Sequence, residues 1–510
     1  LSSAEVSDHL NQFVLPRVVR NTVSLVLGVT LIATILGVSA AWLVSMYEFP
    51  GRRFFSWSLL LPLAIPGYVM AFVMLGVFDY FGPLQTLLRN TFGSSDWFPQ
   101  LRSGVGACLA LALCLYPYVF LIVRGAFEQQ GQRALEVAQS LGYSPGKAIF
   151  SLALPMARPW IVAGMLLVMM ETLADFGTVA IFNFDTFTTA IYKTWFGLGS
   201  LPSAFRLAAW LMLFVIIVLA IESRSKQHRY TTMGKTTSQS RRQLSRGKAL
   251  VCTLSLSVLF LLAFALPVLQ LLLWFIEHKE LALNARYIEF FLNTLMLASL
   301  GALVICTLAI LVTALQRNFL HRRSQNAPQF FPRLLGRLMT IGYAIPGTVL
   351  AVSLFVPLVW VSKQLVANTP INRLLLTGSL FALMLGYTIR FFAVGFRPID
   401  TQLQRLSPNF DEVSQSLGVA GLSKWKKVIL PLLRPGILTA LALVFVDIMK
   451  EMPLTLMTRP FGWDTLAVQI FELTSEGEWT QAAIPSLAIV IAGLLPVYFL
   501  NRQRAKSEIY

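Results

Sequence analysis

Charge is scarce in this chain. Asp, Glu, Lys and Arg make up 13% of its 510 residues, against 56% that are hydrophobic. A soluble fold of that length needs far more polar surface, which excludes an ordinary globular enzyme. Cysteine and histidine are equally scarce, four of each. Cys108, Cys114, Cys252 and Cys306 lie inside apolar runs without CxxC or His-paired spacing, so they read as packing residues and support neither a disulfide framework nor a zinc centre. His9, His228, His278 and His321 are scattered near the ends of such runs and read as loop residues. A phosphate-binding loop is missing too. Gly234-Lys235-Thr236 looks like the end of one, but the glycine required five residues earlier is replaced by Arg229, and no strand precedes it. Any ATP chemistry therefore belongs to another chain.

What is present is hydrophobic length. The mean hydropathy is +0.67. Apolar windows reaching the roughly 20 residues that cross a bilayer cover 22–46, 57–79, 104–124, 160–182 and 205–222. After a polar stretch they resume at 250–276, 291–315, 338–362, 375–396, 436–458 and 482–500. The fold class is all-α, a polytopic transmembrane helical bundle.

The chain also says nearly the same thing twice. Leu135–Pro159 (LEVAQSLGYSPGKAIFSLALPMARP) is repeated as Asp411–Pro435 (DEVSQSLGVAGLSKWKKVILPLLRP), and 412 − 136 and 431 − 155 both give 276. Ala64-Ile65-Pro66-Gly67 matches Ala344-Ile345-Pro346-Gly347, and Arg20-Asn21-Thr22 matches Leu292-Asn293-Thr294. This is an internal duplication. It divides the chain into a first half 1–222, a basic linker 223–249 and a second half 250–510. The span 250–276 has no counterpart before Leu1, so the repeat predicts a further helix ahead of the first residue and a full plan of six spans plus six.

The pattern E-x-x-x-S-L-G, about a dozen residues, then L-P resembles the cytoplasmic coupling loop of ABC importer permeases. The resemblance implies the type I permease fold, with two homologous halves about a pseudo-twofold axis, and two short helices meeting at a glycine that dock on an ATPase. The residues it marks are Glu136, Ala138, Gly142 and Pro155 in the first copy, and Glu412, Ser414, Gly418 and Pro431 in the second. Glu136 and Glu412 would pair with basic groups of the ATPase, the glycines would allow a tight turn, and the prolines would end the second short helix. The bland alternative is a solvated amphipathic loop, which duplication in register disfavours. The second copy departs at Val419-Ala420-Gly421 and in its Lys424–Lys427 run, so the two contacts need not be equivalent. The implied partners are two ATPase subunits carrying ATP and Mg, and a periplasmic or surface-tethered binding protein. The chain itself needs no cofactor.

Charge supports one orientation. If 1–20 lies outside, Arg52-Arg53, Arg133, Lys147, eight Lys and Arg between Arg224 and Lys248, Arg322-Arg323, Lys424, Lys426, Lys427, Arg502, Arg504 and Lys506 all fall inside with both coupling loops. The expected location is the bacterial inner membrane, with the C-terminus cytoplasmic. Trp42, Trp57, Trp97, Trp195 and Trp274 lie near predicted span ends, as interfacial anchors do.

Carboxylates inside spans are expensive and are functional candidates by default. Glu171 and Asp175 are four apart, as are Asp447 and Glu451, and the pairs are again 276 apart. Each pair is expected on one helical face, either lining a translocation path as transient metal ligands or forming ion pairs and helix-break caps. Hard oxygen donors suit a cation such as Fe³⁺ and would repel oxyanions. Residues 171–197 and 446–467 resemble ferric-iron permeases, which are commonly fused two-half chains; thiamine and polyamine permeases share the architecture. Pro66 and Pro346 predict either a hinge or a static kink within a span. A secondary transporter also uses repeats and buried acids, but has no use for duplicated docking loops. A membrane enzyme would need a nucleophile motif or metal cluster that the sequence lacks.

Overall fold

The computed structural model describes residues 10–128, 140, 143, 145–226, 241–278, 285–321, 341–368, 378–404, 406, 409–419 and 421–507. Among them are eleven helices long and apolar enough to cross a membrane. Each overlaps one of the eleven windows read from the sequence, with shifted ends: Gly67–Phe92 against 57–79, Ile149–Ala174 against 160–182 and Gly421–Lys450 against 436–458. In lipid every backbone N–H and C=O must be satisfied internally, and a helix does that within one segment.

The helices gather into two compact units, which cut across the halves of the repeat. The first comprises Leu1–Lys279 with Ile470–Val497, the second Glu280–Gln469 with Tyr498–Tyr510. The first unit contains α1 (Leu15–Met46), α2 (Gly67–Phe78), α3 (Gly104–Ala126), α4 (Leu154–Ala174), α5 (Gly177–Ile181), α6 (Phe187–Tyr192), α7 (Leu201–Lys226), α8 (Arg246–Phe260) and α9 (Leu266–Glu277). The helices α1, α3 and α4 meet at small residues. A Cβ on Gly37 would lie 2.7 Å from Val119 Cβ, and one on Gly164 would lie 3.1 Å from the Val119 backbone. Close approach at glycine is how helices gain packing energy where lipid removes the hydrophobic drive.

The span that the repeat assigns to the start of the second half packs in the first unit. Trp274 of α9 stacks on Phe72 of α2 with ring centroids 6.1 Å apart, over Gly76, where any side chain would collide with the indole. Trp274 is therefore buried, and so is Trp42, whose ring meets Phe127 edge-on at 5.1 Å. Neither is an interfacial anchor. Trp57 and Trp97 are exposed as expected.

The second unit holds α10 (Ala285–His321), α11 (Gly347–Asn368), α12 (Leu380–Gln404), α13 (Asn409–Ser416), α14 (Leu430–Lys450) and α15 (Pro453–Thr458), with the start of α16 (Leu466–Glu476) and the end of α17 (Trp479–Ser507). Its three-helix core uses the same device. A Cβ on Gly395 of α12 would lie 2.9 Å from Ile305 of α10, and one on Gly436 of α14 would lie 2.9 Å from the Pro398 carbonyl.

Four Leu-Pro pairs share one local solution. Leu15-Pro16, Leu154-Pro155, Leu266-Pro267 and Leu430-Pro431 each follow a widened π turn, at Leu10–Val14, Ile149–Ala153, Leu261–Ala265 and Trp425–Ile429. In the last three the leucine N–H reaches back five residues, to the carbonyls of Ile149, Leu261 and Trp425. The wide turn gives the proline ring room and absorbs its missing donor. Pro155 and Pro431 therefore do not end a helix, contrary to the sequence expectation. They stand inside continuous helical stretches, Ile149–Ala174 and Gly421–Lys450.

Candidate functional site

The four membrane carboxylates do not sit as helical pairs. α4 ends at Ala174, and Asp175 is already extended (φ −66, ψ 132). α14 ends at Lys450, with Glu451 extended (φ −72, ψ 112). Glu171 and Asp447 thus remain half-buried in the last helical turn, while Asp175 and Glu451 stand at the breaks. The spans expected at 160–182 and 436–458 are each two helices joined at a carboxylate. The physical reason is local. A new helix starts within two residues, and its first N–H groups lack intrahelical partners.

Both carboxylates meet that need. Asp175 accepts from Thr178 Oγ1 at 2.8 Å and from the Val179 N–H at 3.2 Å, capping α5. Glu451 accepts from the Leu454 N–H at 3.0 Å, capping α15. The breaks are braced as well. Thr188 Oγ1 donates to the Asp175 carbonyl at 2.7 Å, and Thr455 Oγ1 donates to the Glu451 carbonyl at 2.8 Å while sharing a 2.7 Å hydrogen bond with the Tyr387 hydroxyl.

The other sequence-marked break lies against the carboxylate in each unit. Pro66 and Pro346 are not inside helices. Short 3₁₀ turns at Leu61–Ala64 and Gly342–Ala344 lead into extended Ile65 and Ile345, and new helices begin at Gly67 and Gly347. A Cβ on Gly67 would lie 2.7 Å from Thr178 Oγ1 and 3.2 Å from Asp175 Oδ1; one on Gly347 would lie 2.7 Å from Glu451 Oε1. Two broken helices thus meet in each unit, glycine against carboxylate, at helix N-termini whose partial positive charge suits an acid. The second copy also carries an ion pair at its break. Arg390 Nε of α12 lies 3.0 Å from Glu451 Oε2, with side-chain exposures of 13% and 6%, and Arg390 Nη1 donates to the Ile345 carbonyl at 2.7 Å. Arg390 therefore ties both breaks of the second unit together.

Among the described residues, no three His, Cys, Asp or Glu side chains gather into a group that could hold a metal ion. Within each unit the second acid of the pair is taken up as a cap, Asp175 in the first and Glu451 in the second.

A second repeated constellation went unread in the sequence. Asn21 Nδ2 donates to the Asp185 carbonyl at 2.9 Å, and Thr22 Oγ1 accepts from the Phe187 N–H at 3.3 Å. In the second unit Asn293 Nδ2 donates to the Asp464 carbonyl at 3.3 Å, and Thr294 Oγ1 accepts from the Leu466 N–H at 2.9 Å. The Asn-Thr pairs that mark the repeat therefore latch the loop returning from the break. Thr186 caps α6 in a reciprocal box with Thr189, and Asp185 and Asp464 are paired with Lys193 at 2.6 Å and Arg459 at 2.5 Å. The signal was Asp-Thr at 185–186 and at 464–465.

Of the coupling loops, Glu136, Ala138 and Gly142 lie outside the described residues. The second copy is described. Glu412 lies on α13, though its side chain is outside the described set. Ser414 is buried and its hydroxyl donates to the Phe410 carbonyl at 2.6 Å. The Val419 N–H closes back on the Ser414 carbonyl at 2.8 Å, and Gly418 has φ +76, so α13 ends in a Schellman turn that a glycine permits. A second short helix, Gly421–Lys424, leads into the π turn before Pro431. Trp425, Ile429 and Leu433 bury in a cluster with Cys306, Ala309 and Val312 of α10 and Phe392, Phe396 and Ile399 of α12. Phe410, Val413, Leu417 and Leu422 stay exposed, the last two at 74% and 79%. One side of the loop is fixed to the bundle, and the other is apolar and uncovered by the described residues.

Known proteins resemble this chain in sequence. Residues 33–226 match the family described as binding-protein-dependent transport system inner membrane component. The chain is 28% identical to an Fe(3+)-transport system permease protein of Haemophilus influenzae over 95% of its own length and 90% of that protein's. It is 23% identical to a probable ABC transporter permease protein of Sinorhizobium fredii, over 96% of this chain and 88% of that one. A molybdenum transport system permease protein of Haemophilus influenzae is 29% identical over 36% of this chain and 80% of its own. With eleven apolar helices among the described residues and a duplicated break-and-loop plan, the chain matches the inner membrane component of binding-protein-dependent transport systems over 33–226 and is similar along nearly its whole length to transport system permeases.

Proposed function

We propose that the chain forms the path by which ferric iron crosses the inner membrane, driven by two separate ATPase subunits and supplied by a periplasmic or surface-tethered binding protein. The observation that carries this reading is the in-register pair of levers. Continuous helix runs from the second coupling loop at Gly421 to Lys450, and the next residue is the Glu451 break. In the first unit the stretch Ile149–Ala174 leads to Asp175 in the same way. A helix of 30 residues spans about 45 Å, so a push on the loop arrives at the break as a rigid displacement. The exposed Leu417 and Leu422 supply the docking face for an ATPase, and both loops with the C-terminus are cytoplasmic in this reading.

The substrate follows from full-length similarity to the Haemophilus Fe(3+) permease and from the acids. Glu171 and Asp447, one turn ahead of the caps, are the carboxylates assigned to the path; Asp175 and Glu451 shape the breaks. A permease must release what it passes, so scattered oxygen donors serve better than a closed site. The chain performs no covalent chemistry; ATP and Mg are held by the partner ATPases. Purified complex in lipid should show ATPase stimulation by iron-loaded binding protein. Stimulation by a thiamine- or polyamine-loaded protein instead, with none by iron, would overturn the substrate; failure of any ATPase to co-purify would overturn the importer.

A further inference from the structure

The pairing of two short strands builds a surface apart in sequence from the breaks and the repeated loops. Tyr47–Glu48, following α1, pairs in parallel with Arg242–Gln243 at the end of the linker, Tyr47 facing Arg242 and Glu48 facing Gln243. Thr253 Oγ1 of α8 donates to the Pro50 carbonyl at 3.0 Å, fixing the same two segments once more. The pairing brings Arg241, Arg242, Arg246 and Lys248 beside Arg52 and Arg53, which lie nearly 190 residues away in sequence. Arg52 is half-buried and bound at 2.9 Å to Glu48, the one acid within these two segments, while Arg53, Arg242, Arg246 and Lys248 are exposed. The short helix Arg52–Ser58 carries the exposed aromatics Phe54 and Trp57, and the Phe54 ring meets Phe260 of α8 edge-on at 5.2 Å.

Generic positive-inside bias needs only charge in a loop. Here two remote loops are hydrogen-bonded together so that bases converge beside aromatic side chains that insert at the level of lipid headgroups. We propose that this surface is a specific binding site for an anionic phospholipid, with the bases on the headgroup phosphates and Phe54 and Trp57 against the acyl chains. A lipid carrying two phosphates matches the cluster best, because four exposed bases outnumber what one phosphate can engage. The bound lipid holds the linker end against the elbow after α1.

The test uses the assembled transporter, delipidated and returned to phosphatidylcholine nanodiscs containing a minor fraction of cardiolipin. Retained cardiolipin is read by native mass spectrometry. The variant R53Q/R242Q/R246Q/K248Q is compared with a control, R502Q/R504Q/K506Q, that loses charge at the C-terminal end. Each base near an anionic lipid surface contributes roughly fivefold in affinity, so the first variant should lose well over tenfold of its retention while the control keeps it. The single variants R242Q and R246Q, each losing severalfold, cover the case in which the quadruple variant does not assemble. Equal retention by wild type and variants overturns the proposal, as does an equal loss in the control. Displacement of the lipid by millimolar inorganic phosphate would also overturn it, by making the site a free-phosphate site.

Discussion

At the scale of single residues, the decisive contacts are those between a carboxylate and a glycine. The residue types at 171, 175, 447 and 451 were legible as expensive intramembrane acids; their division of labour was not. Spacing by four implied a shared helical face, and only the capping demand of α5 and α15 revealed that the second member of each pair leaves the helix. Arg390 escaped notice because it is one base in a long apolar run, 61 residues from its partner Glu451. Removing one member of a buried ion pair strands the other. Arg390→Gln should therefore lower stability by about 3 kcal/mol, and R390Q/E451Q should recover part of that loss, as read by thermal unfolding in detergent. If the single variant unfolds at the wild-type temperature, the brace is not structural. Gly347→Ala should place a methyl 2.7 Å from Glu451 Oε1, closer than van der Waals contact allows. Overpacking of this kind costs about 1–3 kcal/mol and should displace the cap, giving a lower melting temperature in the same assay. A variant as stable as wild type would mean the breaks do not touch as described.

At the scale of elements, periodicity and length found every span, because twenty apolar residues admit few other readings. They did not find the breaks. Ile65-Pro66-Gly67 was open between a hinge and a kink, and proved to be a helix start, since Pro66 takes the extended conformation ahead of Gly67 (φ −60, ψ 148). Pro155 and Pro431 were read as stops and proved to be tolerated by π turns, a solution that depends on backbone five residues upstream and leaves no compositional trace. The repeated loop at 411–435 was the most legible element, because its turn needs a glycine at 418 and its repetition gave the register. Its exposed apolar face yields a prediction: Leu417→Asp with Leu422→Asp should abolish co-purification of the ATPase while leaving the permease's own thermal stability unchanged within about 0.5 kcal/mol. Retained ATPase would show that this face is not the dock.

At the scale of the whole molecule, one duplicated plan yields two units with matched three-helix cores, matched Asn-Thr latches and matched breaks. The duplication was plain in the sequence; the packing of 246–277 in the first unit was not, because Trp274 against Gly76 is a contact between segments nearly 200 residues apart. The central claim is that levers from the coupling loops work acidic breaks along a path for ferric iron. Uptake of radiolabelled Fe³⁺ into vesicles carrying the complete transporter tests it most directly, comparing wild type with E171Q/D447N, which spares both caps. Wild type should take up iron in an ATP-dependent manner, and uptake should fall at least tenfold in a variant that assembles with its ATPase normally. Full uptake by the assembled variant would contradict the acidic path, and wild-type vesicles that import thiamine or a polyamine but no iron would contradict the assignment of the substrate.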